Sequence, residues 1–90
     1  MGKVDYAHDA ELMKALGHPV RLKIVHGLMS GYECNVSKMV DELRIPQSTV
    51  SQHLGVLKNA GVISFRKEGV QACYRVIDRR VCDIIDALEE

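Results

Sequence analysis

Apolar residues recur at helical spacing through most of this chain and change to a β-prone period once. Val36, Met39, Val40 and Leu43 fall at i, i+3, i+4 and i+7, and Val50, Leu54 and Leu57 form a second stripe. They predict two short amphipathic helices within residues 36–58, jointed at Arg44-Ile45-Pro46. The joint is too short for anything but a sharp turn, and Pro46 can open the next helix but not continue the last one. Upstream, Leu12, Met13 and Leu16 mark a helix over residues 7–16 that breaks at Gly17-His18. Pro19 opens another running to Met29, with Leu22, Val25, Leu28 and Met29 on one side and Ser30-Gly31-Tyr32 as its end.

The period changes after Gly61. Residues 62–66 and 71–76 are β-prone runs separated by Lys67-Glu68-Gly69-Val70, where Gly69 can take the positive φ a tight turn needs. Asp78 can then cap a last helix striped by Val81, Ile84, Ile85 and Leu88. So clean a terminal stripe needs a partner: the first helix, or the same helix of a second subunit. The order α-α-α-α-β-β-α predicts a mainly α fold with a small β-hairpin, a winged helix-turn-helix, as a single domain over residues 1–90. In that plan the helix at 47–60 enters the DNA major groove and the hairpin at 62–76 reaches the flanking DNA. The helix turns Ser48, Ser51, Gln52 and Asn59 away from its apolar stripe, a face with hydrogen-bonding groups and no carboxylate.

Composition adjusts this picture at three points. Ninety residues make one small domain, and an apolar fraction of 47% is high for that size, so some apolar surface is expected between subunits. The net charge is zero, yet from Leu43 to Lys67 there are four basic residues, Arg44, Lys58, Arg66 and Lys67, and no acid. The acids gather at the ends, so the middle of the chain suits phosphate. No apolar run approaches a membrane span and residues 1–12 lack a signal-peptide core, so no membrane partner and a cytoplasmic location are expected. Three cysteines without a CxxC do not read as a disulfide scaffold. No nucleophile-base set and no phosphate-cradling glycine loop is visible, so the chain is not read as an enzyme, and no cofactor is expected.

The chain resembles the ArsR/SmtB family of small dimeric bacterial repressors. The resemblance is carried by Leu16-Gly17-His18-Pro19-Val20-Arg21-Leu22-Lys23-Ile24-Val25, by Gln47-Ser48-Thr49-Val50-Ser51-Gln52-His53-Leu54, by Leu57-Lys58-Asn59-Ala60-Gly61-Val62-Ile63 and by Tyr74-Arg75-Val76. It implies a homodimer built from the first and last helices, with Leu12, Met13, Leu16, Val81, Ile84, Ile85 and Leu88 at the interface. It also implies a repressor bound to an imperfect palindrome in double-stranded DNA. The family's DNA-contacting positions fall on Gln47, Ser48, Ser51 and Gln52, with Arg66, Lys67 and Gln71 from the wing. Arg44 and Lys58 add backbone cations, and His53, nearer the apolar flank, is expected to pack rather than read a base.

Many members of the family release DNA on binding a metal. In arsenic-type members two cysteines sit where the first helix of the helix-turn-helix begins; here those positions are Asn35 and Ser37, with Cys34 alone beside them. Zinc-type members carry Asp-x-His at the start of the last helix; here Asp78 is present but the histidine position is Arg80, whose charge opposes a divalent ion. Neither familiar metal site is expected, and the chain resembles PagR-like members without an evident sensor more than BigR-like ones. His8, His18 and His26 read as surface or capping residues. The alternative is a thiol-, redox- or sulfide-responsive repressor using Cys34, Cys73 or Cys82; Cys73 otherwise reads as strand packing. A second alternative is a winged-helix protein-interaction module without DNA binding, which the carboxylate-free helix face disfavours.

Overall fold

The computed structural model describes residues 4–89 and contains five helices and one hairpin. The helices are α1 (Tyr6–Leu16), α2 (Pro19–Met29), α3 (Val36–Leu43), α4 (Gln47–Asn59) and α5 (Arg79–Leu88), with strands β1 (Ile63–Glu68) and β2 (Gln71–Val76) between the last two.

Local chemistry sets the ends. Asp5 caps α1 by accepting from the His8 amide, His18 caps α2 by accepting from the Val20 amide, and Asp78 caps α5 by accepting from the Arg80 amide. Pro19 stands in the first turn of α2, where its missing N–H costs nothing. Pro46 lies one residue outside α4, as its N-cap, with φ −57° and ψ 142°. Arg44 ends α3 in the left-handed region at φ 57°, a conformation that costs a side chain about 1–2 kcal/mol.

The core is organised round α2, which packs against α1, α3, α4, α5 and β2. Ile24, Val25 and Leu28 are fully buried, and beyond its first residue α2 exposes only Lys23 and His26. The single-sided stripe expected there is therefore an apolar surface nearly all round, as befits a central helix. Gly27 permits the close approach of α3, since a Cβ there would stand 2.9 Å from Met39 Sδ. Met39 of α3, Val50, Leu54 and Leu57 of α4, and Val62 and Ile63 complete the inner layer.

The hairpin is antiparallel with Ile63 opposite Val76 and Glu68 opposite Gln71. The loop is therefore Gly69-Val70, shorter than the four-residue link expected, with Gly69 at φ 60°. The first strand runs one residue later than expected, because the Val62 amide donates to the Leu57 carbonyl at 3.0 Å at the end of α4, while its carbonyl still accepts from the Ile77 amide.

The expected dimer residues divide. Leu12 and Leu16 of α1 and Val81 and Ile85 of α5 are buried within the protomer's own core, so their side chains are not open to a second subunit. Met13 and Leu88 are exposed and Ile84 is half-buried. The stripes on α1 and α5 serve first to close the domain, and only their outer edges remain available.

Candidate DNA-binding surface

Helix α4 buries Val50, Leu54 and Leu57 and turns Gln47, Ser48, Ser51 and Gln52 to solvent. Its first turn is anchored by the Thr49 and Val50 amides, which donate to the Pro46 carbonyl at 3.0 and 3.1 Å. Its middle is held from behind. Arg21 Nε donates to His53 Nδ1 at 3.2 Å, and the same guanidinium donates to the carbonyls of Lys14 and Ala15. The His53 ring lies 4.5 Å from that of His18, centroid to centroid. Partial burial, then the charges of His18 and Arg21, lower the His53 pKa from the ordinary histidine value. His53 thus packs, as expected, and the exposed polar side chains of α4 are left clear of it.

The wing projects beside this helix. Lys58 stands over the Phe65 ring at 5.6 Å, joining the end of α4 to β1. Arg66, Lys67 and Gln71 are all exposed, as are Arg44 and Lys58. Arg66 is not a free cation, because its guanidinium pairs with Glu68 at 2.8 Å. A cleft of about 330 Å³ between α3, α4 and β2 is lined by Gln47, Ser51, Gln71 and Tyr74, with Cys34 and Ser37 on its α3 side. The structure therefore brings Gln47 and Ser51 of the helix and Gln71 of the wing round one concavity, and leaves Ser48, Gln52, Arg44, Lys58, Arg66 and Lys67 outside it.

The cysteines differ from expectation. Cys34 and Cys73 are joined as a disulfide, with Cα atoms 4.1 Å apart and a sequence separation of 39. Cys34 is not alone, and Cys73 is more than strand packing. Cys82 is free and half-buried on α5, lining one shallow pocket with Leu28, Met29 and Val76. Among the described residues the one trio of thiol, imidazole or carboxylate donors close enough to share an ion is Cys34, Glu68 and Cys73, and its two sulfurs are bonded to each other. At the other familiar metal position, Arg80 pairs with Asp78 at 3.0 Å and Asp9 at 2.9 Å. The guanidinium, by hydrogen bond and charge, lowers the Asp78 pKa.

An exposed polar helix on a helix-turn-helix, flanked by a hairpin with cations and backed by a closed apolar core, defines a winged-helix DNA-binding protein. Residues 18–64 match the family described as bacterial regulatory protein, arsR family. The chain is 44% identical over 85 residues to an HTH-type transcriptional regulator of Methanocaldococcus jannaschii, covering 94% of this chain and 96% of that one. It is 38% identical over 89 residues to the transcriptional repressor PagR of Bacillus anthracis, covering 96% and 89%. The crystal structure of PagR superposes with a TM-score of 0.83 over 92% of this chain and 94% of that one. A homodimeric winged helix-turn-helix DNA-binding domain from Mycobacterium bovis superposes at 0.80 with 26% identity, over 99% and 86%. The chain belongs to the arsR family of bacterial regulatory proteins and is a transcriptional regulator with the winged-helix DNA-binding fold.

Proposed function

We propose that the protein is a homodimeric repressor that reads an imperfect palindrome in double-stranded DNA, acting in the cytoplasm. The observation that carries this reading is the α4 face itself: Gln47, Ser48, Ser51 and Gln52 are exposed opposite a stripe that is locked into the core. Glutamine can pair with adenine N6 and N7, and serine serves most base edges or a phosphate. Arg44, Lys58 and Lys67 supply phosphate contacts, Arg66 joins them once released from Glu68, and Gln71 faces the cleft shared with Gln47 and Ser51.

The dimer is supported by the exposed Met13 and Leu88 and the half-buried Ile84, at the outer edges of α1 and α5. Similarity to a homodimeric domain supports it independently. A two-fold dimer presents two α4 helices to two half-sites, and the operator then mirrors that symmetry. No helix among the described residues is long and apolar enough to cross a membrane. Selection of bound duplexes from a random pool tests the proposal. Enrichment of an inverted repeat with half-sites about 10 base pairs apart, or a multiple of that, supports it; a bound pool without a consensus contradicts it.

A further inference from the structure

We propose that Cys34 and Cys73 form a regulatory thiol pair whose oxidation by a low-molecular-weight disulfide clasps the wing to the helix-turn-helix and tightens binding to DNA. This rests on the DNA-reading assignment above and adds a means of controlling it.

The bond stands where the wing loses its other support. Every residue from Phe65 to Ala72 is exposed, and Cys73, at 4% exposure, is the first buried position of β2. One backbone hydrogen bond joins β2 to the loop ahead of α3 here, from the Tyr74 amide to the Glu33 carbonyl at 2.8 Å. The Cys34–Cys73 bond adds a covalent tie beside it. Cys34 also lines the cleft that holds Gln47, Ser51 and Gln71. The tie thus fixes the distance between the wing and the α3–α4 unit on the side that faces those residues. In the bonded arrangement Gln47 and Ser51 of α4 and Gln71 of the wing line a single cleft. Opening the bond leaves the wing end with more conformations to lose on binding, which weakens association.

The two thiols have unequal surroundings. Cys34 is partly exposed and precedes the N-terminus of α3, whose unpaired amides favour a thiolate. Cys73 is buried at 4% exposure, which disfavours one, whereas the Glu68 carboxylate lies within 4.8 Å of both sulfurs and does not separate them. Cys34 is therefore the attacking group. Its thiolate attacks one sulfur of the small disulfide, forming a mixed disulfide and expelling one small thiolate. Cys73 then loses its proton and attacks the Cys34 sulfur, expelling the second small thiolate. The protein dithiol is oxidised by two electrons, the small disulfide is reduced to two thiols, and the two cysteine protons end on those thiols. Cys82, on α5, takes no part.

The test uses the full chain, oxidised glutathione as the probe, and a duplex selected as above beside a scrambled one. Oxidised wild type should bind the selected duplex roughly five- to tenfold more tightly than protein kept in a phosphine reductant. Cys34→Ser and Cys73→Ser should bind like reduced wild type whatever the redox condition, with unchanged circular dichroism, and Cys82→Ser should respond like wild type. In mass spectra, Cys73→Ser should accumulate glutathione on Cys34, whereas Cys34→Ser should leave Cys73 largely unmodified. Equal affinity in both redox states, weaker binding when oxidised, or preferential modification of Cys73 overturns the inference. Failure to prefer the selected duplex in any state instead overturns the DNA-reading assignment.

Discussion

The Arg21 guanidinium donates to His53 Nδ1 at 3.2 Å, so the helix offered to DNA is pinned from its inner side by a residue of α2. The bond requires an unprotonated Nδ1, and protonation would set a second cation beside Arg21. The His53 pKa is lowered in the fold. Its contribution to stability is therefore whole above the ordinary value of about 6.5 and is lost as pH falls through its own lower pKa. Thermal unfolding from pH 7.5 to 5 should show a loss of Tm that His53→Gln lacks, since glutamine keeps an acceptor and cannot titrate. Parallel curves for the two proteins would remove His53 from the pH response.

Asp78 follows the same sign in a more acidic range. It caps α5 and pairs with Arg80, whose hydrogen bonds and charge lower its pKa. Its stabilisation is present above the ordinary aspartate value of about 3.9 and disappears as pH falls through the lower folded value. At neutral pH Asp78→Ala should cost about 1 kcal/mol. Asp78→Asn, which retains a capping oxygen, should cost less than half of that, because ion pairs to the half-exposed Arg80 contribute little. Urea midpoints of the two variants decide the point.

Arg44 carries two opposed effects. Its left-handed backbone, φ 57°, favours glycine, while its exposed cation suits phosphate. Arg44→Gly should stabilise the fold by about 0.5–1 kcal/mol. The same change should weaken DNA binding and reduce the slope of log K against log salt by about one. Denaturation and salt titration of one variant should thus move in opposite directions.

The outer and inner edges of the α1 and α5 stripes should separate experimentally. Leu88 is 65% exposed and Leu16 is 3% exposed. Leu88→Lys should leave a folded protein with unchanged circular dichroism but shift sedimentation from dimer towards monomer. Leu16→Ala should cost about 2–5 kcal/mol of stability through loss of core packing. Unchanged sedimentation of Leu88→Lys would move the dimer interface elsewhere.

Local signals in the sequence were sufficient for α2, whose Pro19 and Met29 bounds match the structure, and for the Gly69 turn and the Asp78 cap. These features depend on residues a few positions apart. The exposed face of α4 was equally legible, because Val50, Leu54 and Leu57 determine which side turns out. Periodicity shows that a face is apolar but not what covers it, so Leu12, Leu16, Val81 and Ile85 read as subunit contacts and proved to be core. The Cys34–Cys73 bond spans 39 residues and depends on where β2 lies beside the loop ahead of α3, which no local pattern encodes. The Arg80–Asp9 pair, 71 residues apart, was hidden for the same reason.

The central claim is that α4 reads bases, and Gln52 tests it most directly. Wild type and Gln52→Ala should be titrated against the selected duplex and against duplexes changed at one base pair at a time. Loss of about 1–3 kcal/mol on the selected duplex, with discrimination relaxed at one position and kept at the others, is the predicted result. An equal loss on selected, substituted and scrambled duplexes would contradict it and reduce α4 to a phosphate-binding surface.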